Sequence, residues 1–134
     1  MTHAEQAHKT LLIDADMWRP SALKFFDISN TTGLSRVLAQ DAEWRDIVLK
    51  PGEDLEFYVL TAGPPTRRAA DLIGPGLPAL LDQAREEYDL VVLDAPPLLG
   101  FPEPLQMAVS ADGVLIVPAR DRRTAKRCPL CSIR

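Results

Sequence analysis

Leu11-Leu12-Ile13 runs straight into Asp14-Ala15-Asp16, and Pro20 then stops the element. An apolar run that ends in carboxylates constrains the fold strongly. A buried strand delivering acids at its carboxyl end is how open α/β sheets hold a metal and a phosphate in the crevice beyond the strands. The run begins at Leu11, where most nucleotide-binding folds would still be building their phosphate loop.

Four apolar runs read as strands: Thr10 to Asp14, Phe57 to Thr61, Leu90 to Asp94 and Val114 to Val117. The third and fourth are continuous rather than alternating, which suits strands covered on both faces in a parallel sheet. Pro118 closes the last, because proline cannot donate to a central ladder. Between them Leu77, Leu80, Leu81, Ala84 and Tyr88 recur at helical spacing, with Asp82, Arg85 and Glu86 opposite. Gly33 to Gln40, Arg68 to Ile73 (closed by Gly74) and Glu103 to Ser110 read as shorter helices. Strands alternating with helices predict a mostly parallel, three-layer α/β sheet.

At 134 residues the chain makes one domain. A net charge of −4 argues against a nucleic-acid surface. No apolar run approaches the roughly 18 residues of a membrane span, and Met1 to Gln6 carries no apolar signal core. Two cysteines make no disulfide framework. A cytoplasmic location follows by default.

In a parallel sheet Asp14, Asp16 and Asp94 would face one crevice. Leu90-Val91-Val92-Leu93-Asp94 has the form of a Walker B strand, whose carboxylate holds magnesium. That ion keeps several waters and needs only one or two carboxylates besides phosphate oxygens. One such aspartate could be a simple turn former. Two apolar runs that each end this way favour a metal–nucleotide crevice.

The segment Leu11 to Met17 with Arg19-Pro20 resembles the second Walker motif of the bacterial tyrosine kinases, P-loop autokinases of capsule and exopolysaccharide assembly. Gly33-Leu34-Ser35-Arg36-Val37-Leu38, Phe57 to Pro65, Glu87 to Pro97 and Ala111 to Val117 resemble the segments that follow in that family, in the same order. The resemblance implies a P-loop NTPase-like fold with Mg2+ and ATP as cofactors. It implies that Asp14 stands near the transferred phosphate and the incoming tyrosine hydroxyl, with Asp16 assisting. It gives Asp14, Arg19 and Asp94 to the nucleotide and Asp94 with Asp14 to the metal. It further implies a membrane polysaccharide co-polymerase or an intact kinase as partner, which would bring the chain to the inner face of the membrane.

The family's G-x-x-x-x-G-K-[ST] loop, whose backbone N–H groups and lysine cradle phosphate, is absent from this sequence. A truncated copy, lacking the first strand, that loop and the first helix, is the expectation, and with it no kinase activity of the chain alone. Trp18 stands where the family's Asp-x-Asp-x-Arg pattern has arginine, and Glu103 where it has aspartate. Trp18 is expected to pack, partly exposed, on a neighbouring helix. Tyr58 and Tyr88 read as core or helix-face residues, and the family's C-terminal tyrosine cluster is missing. The domain is expected over 1–127, with the basic run Arg120 to Arg127 as a solvated helix start and 128–134 as a tail. Cys128-Pro129-Leu130-Cys131 has zinc spacing, but a structural site wants four ligands and no second pair follows. Two other readings stay open: a ParA/MinD-type ATPase, and a non-catalytic module that pairs with an intact kinase or its activator.

Overall fold

A computed structural model describes residues 8–118. Three parallel strands, β1 (Thr10–Asp14), β2 (Phe57–Leu60) and β3 (Leu90–Asp94), form a sheet in the order β2-β1-β3. Three short helices, α1 (Ala22–Phe26), α2 (Leu34–Leu38) and α3 (Trp44–Ile47), separate β1 from β2. The long helix α4 (Ala69–Glu87) carries the chain from β2 across to β3, and α5 (Glu103–Ser110) follows β3 and packs on α4.

The period-2 alternation of a strand sorts the sheet into two unlike faces. Leu11, Ile13 and Leu60 are fully buried on one face, with Tyr58, Val91 and Leu93 beside them. They pack with Ile73, Leu77, Leu80, Leu81 and Ala84, the helical stripe of α4. On the other face Leu90 and Val92 stay 42% and 41% exposed. The continuous apolar run of β3 is therefore covered on one face only among the described residues, not on both as its sequence suggests.

Two further expectations are corrected. Arg68 to Ile73 and Leu77 to Tyr88 are not separate helices, because α4 runs through Gly74, Pro75, Gly76 and Pro78. An interior proline costs about 3 kcal/mol, while burying each of Ile73, Leu77, Leu80 and Leu81 returns roughly 2 kcal/mol. At Gly76 an added Cβ would press into the Leu38 side chain of α2, so that glycine lets two helices close.

The second correction concerns Val114 to Val117, which forms no strand and is 64%, 89%, 67% and 80% exposed. Its composition suits a buried strand, but a strand exists only where a neighbour takes its backbone groups. Among the described residues β3 has a ladder partner on one side only, and this run has none. The basic run and the cysteine pair lie outside the described residues.

Candidate carboxylate site at the strand ends

Asp14 and Asp94 are the last residues of neighbouring parallel strands and are paired in register. The Ala15 N–H donates to the Asp94 carbonyl at 2.8 Å and extends the ladder one step past the strand ends. Asp14 is fully buried, whereas Asp94 is exposed. Burial of a carboxylate is tolerable only with hydrogen-bond donors around it. The N–H groups of Asp16 and Ser21 reach Asp14 Oδ1 and Oδ2 at 3.2 and 3.0 Å.

Ser21 also spans the pair, because its hydroxyl donates to Asp94 Oδ2 at 3.2 Å. Two strand-end carboxylates and one hydroxyl are thus gathered by one residue that sequence reasoning missed. Its only local signal was a hydroxyl directly after Pro20.

Asp16 and Arg19 take different places. Asp16 Oδ1 accepts from the Trp18 and Arg19 backbone N–H groups at 3.1 and 2.9 Å. This is an Asx turn of the kind aspartate favours, and it follows directly on the Asp14 turn. The Arg19 side chain is exposed and forms no ion pair among the described residues. The structure therefore brings Asp14 and Asp94 together and assigns Asp16 to the shape of the loop.

Trp18 leans toward α5. Its Nε1–H donates to Glu103 Oε1 at 3.1 Å, and its ring lies against Phe101 at 5.7 Å between centroids. Glu103 is 2% exposed, and its second oxygen has no partner among the described residues. The two positions that depart from the family pattern are thus in contact with each other, a pairing invisible in a sequence that separates them by 85 residues.

A second loop lines the same carboxyl edge of the sheet. Asn30 clamps Gly63 through Nδ2 to the carbonyl at 2.6 Å and through the Gly63 N–H to Oδ1 at 2.8 Å. Gly63 has φ +80, and a Cβ on Gly33 would strike its backbone. Both glycines are required by this close approach.

The donor set fits magnesium. The oxygens are hard, they come from two carboxylates and one hydroxyl, and the ion takes the rest of its shell from water and phosphate. No group of three or more acidic, histidine or cysteine side chains converges for a metal among the described residues.

No family model matches the sequence. The tyrosine-protein kinase YwqD of Bacillus subtilis is 34% identical over 115 residues, 85% of this chain and 48% of that protein. The tyrosine-protein kinase Etk of Escherichia coli K12 is 33% identical over 128 residues, 95% of this chain and 18% of that protein. Among solved structures the kinase domain of Escherichia coli Etk superposes with a TM-score of 0.75 at 32% identity, covering 80% of this chain and 42% of that one. The MinD protein of Pyrococcus horikoshii superposes with a TM-score of 0.65 at 20% identity, covering 80% of this chain and 44% of that one, a likeness of fold. The chain spans about half the length, or less, of these relatives. With the ordered motifs, the strand-end carboxylates and the kinase-domain superposition in agreement, the chain belongs to the bacterial tyrosine kinase family of the P-loop NTPase superfamily.

Proposed function

We propose that the chain supplies the carboxylate half of an ATP-dependent protein-tyrosine kinase that serves exopolysaccharide or capsule assembly. The observation that carries this reading is the register pairing of Asp14 with Asp94, bridged by Ser21. Phosphoryl transfer asks little covalent chemistry of a protein and much positioning and charge neutralisation. In this reading Asp14 stands nearest the incoming tyrosine hydroxyl, and because it is fully buried under the Asp16 and Ser21 N–H groups, that loop must shift before it accepts the hydroxyl's hydrogen bond. Asp94, with Asp14, holds magnesium, which supplies charge neutralisation on the phosphate oxygens when bound. Asp16 assists by fixing the loop that places Asp14, and the exposed Arg19 is free to meet nucleotide phosphate. The phosphate cradle comes from outside this sequence.

Incubating the purified chain with magnesium and ATP and probing for phosphotyrosine tests this division of labour. The expected result is no phosphotyrosine on the chain alone. Clear autophosphorylation overturns it.

The outer edge of β3, which has no ladder partner among the described residues, favours a second reading, in which the chain pairs with an intact kinase or a membrane polysaccharide co-polymerase at the inner face of the membrane. No helix among the described residues is long and apolar enough to cross a membrane.

A further inference from the structure

We infer that two copies of this chain exchange Val114 to Val117. Each run adds as a strand to the outer edge of β3 in the other copy. The inference goes beyond the kinase reading, since it uses backbone pairing and not the carboxylates.

Two unsatisfied elements of one chain carry it. β3 pairs with β1 on one side and has no ladder partner on the other among the described residues. Val114 to Val117 forms no strand and is between 64% and 89% exposed. Leu90-Val91-Val92-Leu93 and Val114-Leu115-Ile116-Val117 match in length, and neither holds a proline or a charge. An edge of that kind accepts a strand, and a run of that kind lacks only a neighbour. Each element is what the other needs.

The start of the run is held on its own body. Arg85 of α4 donates to the Ser110 carbonyl at 2.9 Å and reaches Asp112 Oδ1 at 3.5 Å. Beyond that hold, Gly113 has nothing within 4 Å of an added Cβ, so no described atom blocks the run from turning to a neighbour.

Charge makes the chain complementary to itself. Arg120, Arg122, Arg123, Lys126 and Arg127 follow the run in sequence, with Asp121 the one acid among them. Exposed Asp89 and Asp94 flank the β3 edge, so the basic continuation meets a carboxylate whichever way the added strand runs. Each copy gives one run and takes one. The contact is therefore isologous and closes at two.

Sedimentation and light scattering of the whole chain test the exchange. The mass is expected to rise with concentration and to level off at twice that of one chain. Val92→Lys blocks the edge and Ile116→Lys blocks the run. Each places a charge inside the contact and is expected to weaken association by about tenfold or more. Both positions are exposed, at 41% and 67%, and melting curves check the fold. Val92→Thr and Ile116→Thr replace any lysine variant that does not fold. An equimolar mixture of the two variants still offers one natural contact per dimer, between the intact run of one and the intact edge of the other. It is expected to regain the doubled mass, at a higher concentration than the natural chain needs. The exchange is overturned if the natural chain stays monomeric, including when it joins an intact kinase of the family instead, or if its mass climbs without levelling off. It is overturned too if Ile116→Lys associates as the natural chain does, because β3 edges would then pair with each other. A mixture that stays monomeric overturns it as well.

Discussion

The two edges of this three-stranded sheet are built from similar apolar runs and meet opposite fates. At the β2 edge Leu49 and Val59 exchange both backbone hydrogen bonds, at 2.9 and 2.7 Å, and Lys50 reaches Glu56 at 2.9 Å. Val59 is fully buried there. At the β3 edge no described segment takes the backbone, and Leu90 and Val92 face solvent. A passing loop with one bridge closes an edge, whereas apolar composition alone does not. Because α5 packs on α4, the right-handed sense of strand–helix–strand connections directs Val114 to Val117 beyond that free edge. The exposed run and the exposed edge are two sides of one open place in the sheet.

The contrast can be broken first by truncating one leucine on each side. Leu60→Ala removes a fully buried side chain of β2 and should cost about 2–5 kcal/mol. Leu90→Ala, 42% exposed, should stay near or below about 1 kcal/mol. Urea unfolding of both variants measures the gap, and equal losses would mean that the β3 side is covered in solution.

The open edge predicts a second effect. The run Leu90 to Leu93, apolar and without proline, is a template for pairing, so light scattering should show mass rising with protein concentration. Val92→Lys should suppress most of that rise. A natural chain that stays monomeric throughout contradicts the open-edge account.

A smaller change is expected at Ser21. Ser21→Ala removes the hydroxyl bond to Asp94 and should cost about 1 kcal/mol, while the Ser21 backbone bond to Asp14 remains. Amide shifts moving at both strand ends would show that the two carboxylates are coupled through this residue.

The smallest effect belongs to the closed edge. Hydrogen bonds from Lys50 and then Tyr58 hold the Glu56 carboxyl below its ordinary range. Its folded pKa lies below its unfolded one, so its contribution is present above the ordinary glutamate value of about 4.3 and fades as pH falls through the lowered value. Lys50 is raised, mainly by its bond to Glu56, and its contribution fades as pH rises through that raised value. Thermal melts of Glu56→Gln should lose the acid dependence owed to this pair with only a slight drop near neutrality, since the pair is exposed.

Thr10–Asp14, Leu90–Asp94 and Glu103–Ser110 were legible to the residue because their signals are local: a short apolar run ended by an acid, or apolar positions at helical spacing. The unbroken α4 was not legible. Gly74-Pro75-Gly76-Leu77-Pro78 carries every local mark of a break, and only burial against the sheet overrides it. The strand reading of Val114 to Val117 failed for the opposite reason, since the composition was right and the neighbour was missing. At the site, the aspartates could be picked out in the sequence. Ser21 across to Asp94 and Trp18 across to Glu103 could not, because each joins segments that only the fold brings together.

The central claim, that Asp14 and Asp94 act as one hard-oxygen site, is tested most directly by titrating magnesium into isotope-labelled chain and following backbone amide shifts. The account predicts saturable shifts confined to Asp14 to Ser21 and Asp94 to Glu103, lost together in Asp94→Asn. Unchanged spectra in the natural chain, or shifts that survive Asp94→Asn, would contradict it.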